Sequence, residues 1–222
     1  MSNDLSIPHR YRWLLILLAA GAGVIGLMLF VDPITLPWVV RIFRTPTVEA
    51  IHSVLKHLGR PPVLYGALVI CGITALVKRS RAWGRATGLL ALTMAVALIA
   101  CYLLKMGVAR PRPEFAYFAV GWGDAIGRPD LFGNGMYHSF PSGDVTLASA
   151  LAVLLFLFAG RGKARWALFL IPVLSSVGRV LHAGHYPSDC LAAMMLGGGV
   201  AASVWRLWPP RPAPADVQGG PR

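Results

Sequence analysis

The sequence predicts an all-α membrane protein, a polytopic bundle of six transmembrane helices. Of its 222 residues, 56% are hydrophobic and only 14% are charged, which is too apolar for an ordinary soluble domain. The apolar residues are also concentrated in blocks close to the ~20 residues that a helix needs to cross a bilayer. We expect the spans at 13–31, 61–77, 88–104, 145–159, 166–181 and 190–207.

The first block follows Arg10 and Arg12, as the core of a secretory signal would. It is longer than the ~7–15 residues of a signal core and further spans follow it, so we expect an uncleaved anchor. The membrane domain then covers 13–208, after a polar segment at 1–12. A tail at 209–222, with Pro209, Pro210, Pro212 and Pro214, is expected to be disordered.

Between the first two spans, apolar residues recur on one face of a predicted helix. They are Val48, Ile51, Val54, Leu55 and Leu58. This pattern predicts an interfacial helix that lies on the membrane, with His52 and His57 at its surface or near lipid headgroups.

The net charge of +12 could suggest a nucleic-acid partner, but the cations lie in short loops beside the spans. The positive-inside rule explains them better, with both termini in the cytoplasm. Cys71, Cys101 and Cys190 have unrelated spacings, which favours packing over a disulfide framework or a metal site. We therefore expect no cofactor.

Charged and small residues form three clusters at the ends of the predicted spans. The clusters are Lys105 with Arg112-Pro113, then Pro141-Ser142-Gly143-Asp144, then Gly178-Arg179 with His185 and Asp189. Such groups are costly near hydrocarbon, so they indicate function. Because successive spans cross the membrane in opposite directions, we expect these span ends to lie on one membrane face, opposite the termini.

Several cations brought to one face predict a phosphate site. Arg112 and Arg179 can each supply paired charge-assisted hydrogen bonds, and Lys105 a mobile point charge. Ser142 and Gly143 lie at a predicted helix start, where free N–H groups favour anions. Ser142 could instead serve only as the helix cap.

The spacing of these clusters resembles that of the type 2 phosphatidic acid phosphatase (PAP2) superfamily. Its signature reads K-x6-R-P, then P-S-G-H, then S-R-x5-H-x3-D. The first part matches fully at Lys105 and Arg112, and the third matches except that Gly178 replaces serine. The second departs from the family because Asp144 replaces histidine.

The resemblance implies a membrane lipid phosphatase with a phosphohistidine intermediate. His185 would be the nucleophile and Asp189 the carboxylate that holds its other ring N–H. The substrates implied are phosphatidic acid, phosphatidylglycerol phosphate, isoprenyl diphosphate or phosphorylated lipid A. The implied location is a bacterial inner membrane, with the site on the periplasmic face.

The resemblance implies that position 144 protonates the leaving oxygen. An aspartate with its ordinary pKa of ~3.9 would be anionic and would repel the substrate. It could act as an acid if burial raised its pKa, or it could be a carboxylate favoured by the helix dipole. His138 and His182 are substitute acids, and a diphosphate substrate would need none.

Two other functions use the same residues. One is a catalytically impaired homologue that binds lipid phosphates, and the other is a lipid phosphotransferase. The charges of Arg110 and Glu114, beside the first cluster, are predicted to be solvated loop charges.

Overall fold

The computed structural model describes residues 9–43, 45–55, 57, 60–119, 135–159 and 162–209. Regular structure in these ranges is helical throughout. The helices are α1 (His9–Gly26), α2 (Asp32–Ile42), α3 (Pro46–Leu55), α4 (Pro61–Val77), α5 (Arg81–Val108), α6 (Pro113–Ala119), α7 (Gly143–Phe158), α8 (Leu170–Leu181) and α9 (Pro187–Leu207). Most of the predicted polar N-terminal segment and proline-rich tail falls outside the described residues.

Four helical segments of the described chain are long and apolar enough to cross a membrane. They are Leu18–Ile42, Arg81–Ala116, Lys163–Leu181 and Pro187–Leu207, and α4 and α7 are shorter apolar helices. Large aliphatic side chains cover the outside of these helices. Leu76 is 77% exposed and Ile70 is 66% exposed, as expected of a surface that faces lipid rather than water.

The first predicted span ends too early. The chain does not leave the helix at Val31 but passes through a π-helical turn at Leu27–Val31 into α2, which reaches Ile42. Pro33 is tolerated because it lies in the first turn of α2, and a wide turn precedes it. The buried face of α2 packs against the loop before α9, through Leu36, Val39, Val40, Ala183 and Tyr186.

Helix α7 lies at the centre of the bundle and packs most closely on α9. Val145, Ala148 and Ala150 of α7 are fully buried. A methyl group at Gly197 of α9 would overlap the Thr146 carbonyl, so only glycine allows the two backbones to approach this closely. This contact brings the starts of α7 and α9 together, and the Ser142 N–H donates to the Asp189 carbonyl at 3.3 Å.

Helix α3 packs against α8 through its buried Val48 and His52, while Ile51 and Val54 are exposed. The prediction that His52 lies at the surface is wrong. It is 8% exposed, its Nδ1 lies 3.2 Å from the Gly178 carbonyl oxygen, and its ring stacks on His182.

The contact between α3 and α8 also gives a reason for glycine at position 178. A methyl group there would lie 2.8 Å from Leu55 Cβ, closer than side chains pack. A serine at this position would force the two helices apart.

Candidate active site

The first and second motif clusters meet where α5 ends and α7 begins. A methyl group at Gly143 would lie 4.0 Å from Lys105 Cε, so the lysine stem runs past the start of α7. Lys105 Nζ donates to the His138 carbonyl at 2.6 Å, which anchors the ammonium beside the loop that leads into α7.

The Arg112 guanidinium and the main chain of Arg179 both lie close to Gly184, the residue before His185. A methyl group at Gly184 would lie 3.7 Å from Arg112 Nη1 and 3.6 Å from the Arg179 carbonyl oxygen. Arg112 Nε donates to the Gly135 carbonyl at 2.8 Å, which holds the guanidinium in place. The first and third clusters therefore meet beside His185.

His185 is held in one tautomer. Its ring is 4% exposed, and Nδ1 lies 2.6 Å from the Ser139 carbonyl oxygen. A carbonyl can only accept, so Nδ1 carries the proton and the lone pair of the neutral ring is on Nε2. Burial lowers the pKa of His185 to about 4, and nearby Lys105 contributes to that direction while Asp189 opposes it.

Asp189 does not hold His185 in the predicted way. Its Oδ2 lies 3.8 Å from His185 Nδ1, beyond hydrogen-bonding distance. That oxygen instead accepts from Ser139 Oγ at 2.5 Å and from the Tyr186 N–H at 2.9 Å. The bond to the Tyr186 N–H is part of the capping box at the start of α9. The carboxylate therefore fixes Ser139, and the Ser139 carbonyl fixes the imidazole.

Arg110 is not the solvated loop charge that the sequence predicted. It is 9% exposed, and its guanidinium lies over the Tyr186 ring at 3.8 Å. Nη1 donates to Asp189 Oδ1 at 2.6 Å and Nη2 donates to Asp32 Oδ2 at 2.8 Å. Two fully buried carboxylates thus share one guanidinium.

Asp32, Ser139 and Ser188 complete this buried network, and the sequence reasoning missed all three. Ser188 donates from Oγ to Asp32 Oδ2 at 2.5 Å, and its backbone N–H donates to Asp32 Oδ1 at 3.2 Å. One signal was available for Asp32, because an acidic residue directly after an apolar block needs a partner. Nothing in the sequence identifies that partner, which lies 78 positions away.

Asp144 forms an ion pair with Arg179. The two side chains are only 17% and 16% exposed, and a cation in contact favours the ionised form of a carboxylate. Asp144 also lies in the first turn of α7, where the helix dipole favours negative charge. The geometry therefore makes Asp144 a partner of Arg179.

Ser142 occupies the N-cap position of α7, but its side chain makes no capping hydrogen bond. Its Oγ is buried and has no hydrogen-bond partner among the described residues. A buried hydroxyl without a partner is costly, so a ligand oxygen at this place would satisfy it. This favours phosphate binding over capping for Ser142.

The two substitute acids lie apart from each other. The backbone carbonyl of His138 accepts a hydrogen bond from Lys105 Nζ, and the His138 ring contacts the Tyr102 ring edge-on. His182 stacks on His52 with the ring centroids 3.8 Å apart. Burial lowers the pKa of His182, so it is neutral at neutral pH and is a poor source of a proton.

An apolar cavity of about 990 Å³ lies between α1, α5 and α9. Leu104 and Phe140 line one end, next in sequence to Lys105 and Pro141, and Leu207 and Trp208 line the other. The cavity therefore runs from the level of the charged cluster along the apolar part of the bundle.

The model of the PAP2 superfamily matches residues 86–213, which include all three motif clusters. The chain belongs to the PAP2 superfamily. Among curated proteins it is similar to the decaprenylphosphoryl-5-phosphoribose phosphatase of Mycobacterium tuberculosis, with 30% identity over 68% of this chain and 75% of that protein.

Two solved structures share the fold of this PAP2 protein. The transmembrane PAP2-type phosphatidylglycerolphosphate phosphatase of Bacillus subtilis has a TM-score of 0.64 and 22% identity, over 88% of this chain and 92% of that chain. LpxE of Aquifex aeolicus has a TM-score of 0.57 and 20% identity, over 79% and 95%. The family and the long apolar helices together identify an integral membrane protein.

Proposed function

We propose that this protein is a membrane phosphatase that hydrolyses lipid phosphates or diphosphates through a phosphohistidine on His185. The observation that carries the proposal is the neutral, buried His185, whose Nδ1–H is bound and whose Nε2 holds the lone pair. A nucleophile needs this state, and Arg112 beside Gly184 supplies a cation for the phosphate oxygens.

In the proposed reaction the phosphate group binds Lys105, Arg112, Arg179 and the Ser142 hydroxyl. His185 Nε2 attacks phosphorus, the bond to the leaving oxygen breaks, and the ring becomes positively charged. The nearby Asp189 carboxylate stabilises that charge. Water then breaks the phosphorus–nitrogen bond, which releases inorganic phosphate and restores the neutral imidazole.

The pairing of Asp144 with Arg179 favours substrates whose leaving group needs no proton. The leaving group of a diphosphate is a phosphate, which departs without an acid, whereas an alkoxide requires one. We therefore propose that diphosphates turn over faster than monoesters. Leu104 and Phe140, which line the apolar cavity, are next in sequence to Lys105 and Pro141, so we propose that the lipid chain of the substrate lies in this cavity.

The proposal includes the membrane arrangement. α4 and α7 join the four longer segments as six spans, α3 lies at the interface, and the site faces the periplasm of a bacterial inner membrane. Support comes from the common location of the motif ends and from the exposed Ile51 and Val54 on α3.

Assays of the purified protein in detergent would test the activity. The panel contains phosphatidic acid, phosphatidylglycerol phosphate, isoprenyl diphosphate and phosphorylated lipid A, and the readout is released phosphate. We expect the highest kcat on the diphosphate. Binding of these lipids without release would favour the impaired homologue, and phosphate found on a second lipid would favour a phosphotransferase.

Cysteine labelling would test the orientation. In a Cys71→Ser background, an impermeant maleimide should label Gly135→Cys on intact spheroplasts and should label Ala82→Cys only after lysis. The reverse pattern would contradict the proposed orientation.

A further inference from the structure

Arg110, Asp32, Asp189, Ser139 and His185 form one continuous chain of contacts. Asp32 is at the start of α2, Arg110 follows α5, Ser139 precedes α7, and Asp189 is in the first turn of α9. All four of these groups are buried, and Asp32, Ser139 and Asp189 are fully so. The chain ends at the Ser139 carbonyl that holds His185 Nδ1.

We propose that Arg110, anchored by Asp32, is a positioning residue that fixes Asp189 and Ser139 and thereby orients the His185 imidazole. This inference rests on the proposed function, in which His185 Nε2 is the nucleophile. The guanidinium of Arg110 contacts Ser188, Asp189, Asp32 and the Tyr186 ring, so in this proposal it acts on His185 through Asp189. It lies between Lys105 and Arg112, in the gap of the K-x6-R-P motif.

The geometry of the guanidinium carries the argument. Its two terminal nitrogens reach different carboxylates, at 2.8 Å to Asp32 and 2.6 Å to Asp189, while its face covers the Tyr186 ring at 3.8 Å. A planar group with two directed donors determines the angle of each partner, which a single ammonium cannot do. Asp189 Oδ1 is thus occupied, which leaves Oδ2 for Ser139.

Asp32 has a second task, because it sets the net charge of the buried cluster beside His185. Asp32, Arg110 and Asp189 together carry one net negative charge. That charge lies beside a ring that becomes positive when it is phosphorylated. Ser188 holds Asp32 through two hydrogen bonds, so the Asp32 carboxylate is fixed to the first turn of α9.

The test compares three variants for kcat, KM and inhibition by inorganic phosphate. Arg110→Lys keeps the charge and loses the two directed donors. Asp32→Asn removes the anchor, and the double variant Asp32→Asn/Arg110→Gln restores the net charge of the cluster without restoring the clamp. Glu49→Gln and Arg81→Lys, both at exposed positions, serve as matched controls.

We expect kcat to fall ~10–100-fold in all three variants, the range typical of residues that orient a functional group through another. KM and phosphate inhibition should remain within about twofold, because Lys105, Arg112 and Arg179 are untouched. Activity is expressed per folded monodisperse protein, so a loss of folding does not count as a loss of kcat.

Recovery of kcat in the double variant would show that net charge matters and that the clamp does not, which overturns the proposal. A rise in KM with unchanged kcat, or an Arg110→Lys protein as active as the wild type, would also overturn it. If wild type itself released no phosphate, or His185→Ala remained active, the proposed function would fail instead. The two failures are therefore distinguishable.

Discussion

Asp144 stands where the PAP2 signature has histidine, and its replacement gives the clearest prediction. In Asp144→Asn the side chain keeps its shape but loses the charge that pairs with Arg179. The Arg179 guanidinium then has no competing anion, so it should bind phosphate more strongly. If Asp144 is not an acid, turnover of diphosphates should be preserved.

The magnitude follows from the ion-pair geometry. A phosphate bound on the far side of the Arg179 guanidinium would lie roughly 6 Å from the carboxylate, where two unit charges repel by about 3 kcal/mol at an effective dielectric constant of ~20. This corresponds to about 100-fold in affinity as an upper limit. The measurement is the inhibition constant of inorganic phosphate, with Glu49→Gln as the control for loss of a carboxylate elsewhere.

A different outcome would refute this reasoning. If Asp144 protonates the leaving group, Asp144→Asn should lower kcat on monoesters by ~10²–10⁴-fold and leave the inhibition constant unchanged. Asp144→His gives a second comparison, because it introduces the family's acid. We expect it to raise monoester hydrolysis and to change diphosphate hydrolysis much less, whereas loss of both activities would assign Asp144 an essential task of its own.

Three further predictions concern the nucleophile and the packing around it. His185→Ala should abolish phosphate release and the ³²P labelling of protein quenched in alkali, where a phosphorus–nitrogen bond survives, whereas the exposed His57→Ala should retain both. Persistent release from a folded His185→Ala protein would exclude the covalent route. The neutral form of His185 is the one that attacks, and its pKa is lowered to about 4. Protonation of His185 should therefore reduce kcat/KM only as the pH falls through about 4. A decrease in kcat/KM near pH 6.5 that disappears in a His185 variant would contradict the buried, hydrogen-bonded ring. Gly178→Ser should destabilise the protein by ~1–3 kcal/mol, because its Cβ would lie 2.8 Å from Leu55 Cβ. The loss should be smaller when Gly178→Ser is made in a Leu55→Gly background, which removes that Cβ, and the melting temperature should barely change in Gly199→Ala, whose surroundings are open.

Much of the site could be predicted from the sequence because its residues fall at the ends of apolar blocks. Lys105, Ser142, Arg179 and Asp189 lie at such ends, and alternating passes predict that they share one membrane face whatever the detailed packing is. The membership of the PAP2 superfamily followed from the same spacing. Helix boundaries were less predictable at Val31, since Pro33 reads as a stop in isolation but is accommodated in the first turn of α2.

The sequence by itself determined the helical membrane class, the family and the residues that we propose to bind phosphate. Only the tertiary structure decided which partner each of those residues has. His185 bonds to a main-chain carbonyl, which no residue type reveals, and Arg110 bonds to Asp32 and Asp189, which are 78 and 79 positions away. Asp144 pairs with Arg179 because α7 and α8 meet at one level. These contacts depend on how far each helix is shifted along its axis relative to its neighbours. Close packing at positions such as Gly178 and Gly197 determines that shift, and local sequence patterns do not encode it.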